Sequence, residues 1–117
     1  MTDSHKGYDV DSEKKRLYKL KADVIAAAGH PIRLAIIDYL KDGEQCVCDI
    51  AIYVGAQRSN VSRHLAVLLK AGIVEQRKDG LRMIYSLRTP CILKVASCVT
   101  QVLRKQMEKT SELLRTL

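Results

Sequence analysis

Four cysteines carry the reactive side chains of this chain. Cys46 and Cys48 stand two apart in Cys46-Val47-Cys48-Asp49, and Cys91 and Cys98 stand seven apart near the C-terminus. Thiolates are soft donors that suit arsenite, antimonite, cadmium, lead and copper(I). Two thiols at i and i+2 can meet one ion but cannot make a three-sulfur site. Cys91 or Cys98 is the candidate third ligand, from the same chain or from a second copy. On a helix those two share one side yet stand about 10 Å apart, too far to close on one ion or to pair as a disulfide. Cys98, expected deeper in the packed helix, is favoured. A thiol at a helix start could instead oxidise or take up sulfur, and a cysteine can also serve as a small buried apolar residue. A thiol–disulfide enzyme fits poorly, because the pair is Cys-x-Cys rather than Cys-x-x-Cys and no βαβ pattern surrounds it.

A second group of residues follows ten positions on. Gln57, Arg58, Ser59, Asn60, Ser62 and Arg63 precede or interleave with Val61, Leu65, Leu68 and Leu69, which recur at the helical period. A helix N-terminus carrying short polar and Arg side chains suits the DNA major groove. Arg63 or Arg58 would fork onto guanine, and Asn60 or Gln57 would pair with adenine. Ser59 and Ser62 would reach bases or phosphates. His64, beside Leu65, reads as packed or hydrogen-bonded rather than as a metal ligand. The competing reading of the whole set is a solvated helix face.

The elements that must hold these residues follow from the apolar periods and the breakers. Residues 1–12 are polar and aperiodic, which predicts a mobile arm. Leu17, Leu20, Val24, Ala27 and Ala28 predict an amphipathic helix over 13–28, stopped at Gly29. His30-Pro31 opens a second helix, with Leu34, Ile36, Ile37 and Leu40 as its core face and Asp42-Gly43 as its end. A short helix over 48–53, a break at Gly55 and a longer helix over 57–71 make a helix-turn-helix. Two strands, 73–78 and 81–87, flank Asp79-Gly80, a two-residue hairpin signal. Arg77, Lys78 and Arg82 make this hairpin a basic wing, placed for phosphates or a minor groove. Pro90 opens a last helix to about Arg115, striped by Ile92, Val95, Val99, Val102, Leu103, Leu113 and Leu114.

Composition agrees with that reading. The chain has 117 residues, a formal charge of +7 and no Phe or Trp. One domain with an aliphatic core and a polyanionic partner is expected. No run approaches the ~20 apolar residues of a membrane span, no signal-peptide core opens the chain, and a cytoplasmic protein without membrane contact is expected. So short a chain cannot cover the last helix's stripe alone, which predicts a homodimer through the first and last helices.

Three segments in order resemble the ArsR/SmtB winged helix-turn-helix repressors over roughly positions 20–90. They are Gly29-His30-Pro31-Ile32-Arg33-Leu34, then Val61-Ser62-Arg63-His64-Leu65, then Ala71-Gly72-Ile73-Val74 with Arg77-Lys78-Asp79-Gly80 and Tyr85-Ser86-Leu87. The resemblance implies a mainly α fold with one β-hairpin and no enzymatic activity. It also implies a dimeric repressor released from double-stranded operator DNA by a metal or metalloid. Cys46-Val47-Cys48-Asp49 is similar to the signature of members that sense As(III), Sb(III) or a soft divalent ion such as cadmium or lead. The chain departs from the family in three places. Ala51 stands where one group of arsenite sensors has a third Cys, residues 1–12 hold no Cys, and no His follows Pro90. Cysteine-based redox or reactive-sulfur sensing on the same fold remains the alternative.

Overall fold

The computed structural model describes residues 11–117; the arm expected over 1–12 lies outside it except for its last two residues. Those two already belong to the first helix. Asp11 is the N-cap of α1 (Ser12–Ala28), its carboxylate accepting from the Lys14 N–H at 2.8 Å. His30 caps α2 (Pro31–Leu40), its Nδ1 accepting from the Ile32 N–H, and Pro31 fills the first turn, where no N–H is needed. A short strand β1 (Gln45–Cys46) then leads directly into α3 (Val47–Val54). Gly55, at φ +69°, takes the left-handed position that ends α3, and its N–H returns to Ala51 and Ile52. After that turn come α4 (Arg58–Lys70), β2 (Val74–Asp79), β3 (Arg82–Leu87) and α5 (Ile92–Arg115).

The expected hairpin forms, but its turn lies one residue further on. Asp79 stays in the ladder opposite Arg82, so Gly80-Leu81 is the loop. Gly80 has φ +64° and Leu81 does not have positive φ. Glycine first is the requirement of a II′ turn, whereas an Asp-Gly I′ turn would need positive φ at both positions. The sheet also gains a strand that periodicity did not predict. β1 pairs antiparallel with β3, giving the order β1-β3-β2.

The core lies in the middle of the chain. Ile36, Ile37, Ile50, Val61, Leu65, Leu68, Ile73 and Val74 are all under 2 % exposed. They bind α2, α3, α4 and the sheet into one unit. The terminal helices join that core at their near ends, through the buried Ala27 and Ala28 of α1 and Ile92 of α5, with Leu93 packed against it. Leu17, Leu20 and Ile25 on α1 and Val99, Val102, Leu103 and Met107 on α5 are exposed. The radius of gyration, 19.3 Å, exceeds the ~13 Å of a compact 100-residue domain, as expected for a chain whose long helices project from its core.

Candidate nucleic-acid interface and thiol pair

Three buried side chains decide which face α4 presents. Val61, Leu65 and Leu68, spaced four and three apart, are wholly buried against α2 and α3. Gln57, Arg58, Ser59, Ser62 and Arg63 are consequently exposed, and Asn60 is half-buried at the turn side. The start of α4 is left electrostatically open. Its N-cap Gln57 makes no side-chain cap, and no acidic residue stands in the first turn. Free N–H groups and the positive end of the helix dipole are thus available to a phosphate.

The wing residues do not share one fate. Lys78 is exposed and has no ion-pair partner among the described residues. Arg77 is held by Glu44, its Nε donating at 3.1 Å to one carboxylate oxygen and its Nη2 to the other. That fork lowers the Glu44 pKa and raises that of Arg77. Arg77, expected as a DNA contact, is therefore engaged within the protein. Arg82 stands on the same sheet face as Cys46, because Cys46 pairs with Ile84 and Arg82 lies two residues from it. The Cys46 sulfur is the first of the groups that push the Arg82 guanidinium above its ordinary range, ahead of the Asp49 and Asp79 carboxylates.

The two thiols sit where β1 turns into α3, and they differ in access. Cys46, the last residue of β1, is 5 % exposed, whereas Cys48, in the first turn of α3, is exposed. All four cysteines are free thiols. Cys91, just before α5, and Cys98, on it, are both exposed. The expectation that Cys98 lies deeper is corrected here: only the first turn of α5 packs on the core, and Cys98, on the second turn, is exposed. Among the described residues of one chain, no three His, Cys, Asp or Glu side chains gather at one point. Donor type at Cys46 and Cys48 suits a soft ion, but the described residues of one subunit do not assemble a third donor beside them.

Sequence reasoning missed a polar cluster behind α4. The His30 and His64 rings lie 4.4 Å apart, centroid to centroid. Arg33 bridges the Ala27 carbonyl, through its Nε, and His64 Nδ1, 3.1 Å from its Nη1. His64 is thus packed and hydrogen-bonded. The available signals were His30-Pro31 as a capped helix start and Arg33 one turn behind Gly29; neither says which distant side chain completes the cluster.

Among the described residues, no helix is long and apolar enough to cross a membrane. The model of the family described as "Bacterial regulatory protein, arsR family" matches residues 30–76, from the capped start of α2 into β2. A helix-turn-helix-type transcriptional regulator of Mycobacterium tuberculosis is 35% identical over 106 residues, 90% of this chain and 93% of that protein. An arsenical resistance operon repressor of Escherichia coli is 31% identical over 103 residues, 87% of this chain and 82% of that one. Among solved structures, a homodimeric winged helix-turn-helix DNA-binding domain from Mycobacterium bovis superimposes with a TM-score of 0.73 at 28% identity, covering 87% of this chain and 94% of that one. With its helix-turn-helix, its hairpin and relatives matched over most of their length, the chain belongs to the arsR family of winged helix-turn-helix transcriptional regulators and is not an enzyme.

Proposed function

We propose that this protein is a homodimeric repressor that binds a two-fold operator and releases it when a thiophilic metal or metalloid, of the As(III)/Sb(III) or Cd/Pb type, engages Cys46 and Cys48. The observation that carries the reading is the position of the thiol pair. Cys46 ends the strand that pairs with wing strand β3, and Cys48 begins the helix that supports the reader. A change at either sulfur therefore acts on the wing, on α3, or on both. Thiolates would supply the soft donors, and the protons they lose go to solvent. Arg58, Arg63, Gln57, Asn60, Ser59 and Ser62 face the groove from α4, and Lys78 and Arg82 approach the backbone from the wing. The apolar stripes left bare on α1 and α5 support dimerisation through those helices. Cys91 and Cys98 are candidate third ligands only across the dimer.

A second reading has its own observation. Cys48 is exposed in the first turn of α3, the position most open to an oxidant or a sulfur donor. Titrating the DNA complex with arsenite, antimonite, cadmium, lead, zinc, peroxide and polysulfide separates the two. Cys46→Ser and Cys48→Ser are expected to keep operator binding and lose the response. If the double variant still releases DNA at the wild-type inducer concentration, sensing at this pair is wrong.

A further inference from the structure

The cluster behind α4 belongs neither to the reader surface nor to the thiol pair. Arg33, in the first turn of α2, hydrogen-bonds with its Nε to the carbonyl of Ala27 at the end of α1. Its Nη1 meets His64 Nδ1, in the middle of α4, at 3.1 Å. A guanidinium has no acceptor, so His64 Nδ1 is the acceptor and the neutral ring carries its proton on Nε2. His30, whose own Nδ1 is committed to the Ile32 N–H, packs its ring against His64 at 4.4 Å between centroids. One side chain thus ties together the ends or middles of three helices. Apolar packing holds α4 in place along its length through Val61, Leu65 and Leu68, yet such contacts are non-directional. The Arg33 fork is directional, and it links the reader to α1.

We propose that Arg33 is a positioning residue for DNA recognition: through His64 and the Ala27 carbonyl it sets the angle of the reader helix against α1, and so the fit of two reader helices to two half-sites. This rests on the reading of α4 as the DNA reader and of α1 as a dimer helix. A small rotation of α4 about its buried Val61, Leu65 and Leu68 moves the exposed Arg58, Ser59, Ser62 and Arg63 relative to α1. Base contacts depend on that geometry, whereas non-specific attraction depends on charge.

The test uses the full chain and a duplex that it selects from a random pool, measured by fluorescence anisotropy beside a scrambled duplex. Arg33→Lys keeps the charge but loses the fork, and His64→Leu removes the acceptor. Each is expected to lower the ratio of selected to scrambled affinity at least about fivefold, with scrambled affinity and salt slope unchanged. The double variant is expected to be no worse than the poorer single one. His64→Gln, whose amide oxygen can accept, is expected to stay within about twofold of wild type. An unchanged ratio, additive losses, equal losses on both duplexes, or unfolding of both single variants at the assay temperature would overturn the proposal. Should wild type select no duplex, the DNA-reader assignment fails instead. The pin is then still read by amide hydrogen exchange, where Arg33→Lys is expected to speed exchange in α4 more than in β2 and β3, and equal exchange refutes it.

Discussion

Removing Arg63 and removing Arg77 should have very different effects, although both are basic residues of the proposed DNA face. Arg63 is exposed on α4 and forms no ion pair among the described residues. Its guanidinium is free to fork onto a guanine edge, a contact worth about 1–3 kcal/mol. At 1.4 kcal/mol per factor of ten, Arg63→Ala should weaken the selected duplex by about 5- to 150-fold. The loss should concentrate at one base position. Arg77 has the Nε–Nη2 edge of its guanidinium on Glu44. Its charge is countered there by a carboxylate, so Arg77→Ala should change affinity by less than about threefold, with the salt slope moving by under one phosphate's share. The assay is anisotropy against the selected duplex and its single-base variants between ~50 and ~200 mM salt. Thermal melting serves as a control, because neither residue contributes to the buried core. If Arg77→Ala proves the more damaging of the two, or Arg63→Ala weakens all sequences equally, the assignment of base reading to α4 and of Arg77 to an internal pair is refuted.

Three further outcomes are expected. Val99→Glu with Leu103→Glu places charges on the bare face of α5 and should convert the dimer to monomer by light scattering at micromolar concentration; a wild-type monomer under those conditions refutes the dimer. Cys46→Ser buries a hydroxyl where a thiol was 5 % exposed and should cost about 1–3 kcal/mol of stability, while Cys48→Ser at the surface should cost less than about 0.5 kcal/mol; equal melting shifts would contradict the burial difference. His64 is held below its ordinary pKa of 6.5, first by burial and then by His30, Arg33 and Arg63. Its contribution to stability is therefore complete above about pH 6.5 and is lost as the pH falls through the lowered value. His64→Gln should flatten that part of a stability–pH curve, and an unchanged curve excludes His64 as its source.

Much of the framework was legible because local chemistry sets it. Val61, Leu65 and Leu68 repeat at the helical period, so the face of α4 that turns outward follows from its own residues. Gly55 and Gly72, at φ +69° and +81°, mark turns that other residues enter only at a steric cost. Apolar stripes on α1 and α5 likewise predicted surface that one short chain would leave bare.

Pairings between distant segments were decided by tertiary structure alone. A two-residue strand such as Gln45–Cys46 has no period of its own and exists because β3 offers it a free edge. That pairing buries Cys46 and leaves Cys48 outside, a difference that Cys-x-Cys spacing does not contain. Glu44 captures Arg77 from 33 positions away, and Arg33 reaches His64 across 31. Charge counting put Arg77 on the wing and gave Arg33 no partner, because a side chain's type states what it can bind and only the folded chain brings a partner within reach. The same physics governs Cys98: its place in an apolar stripe suggested depth, but burial requires a neighbour, and α5 projects beyond the core of its own subunit.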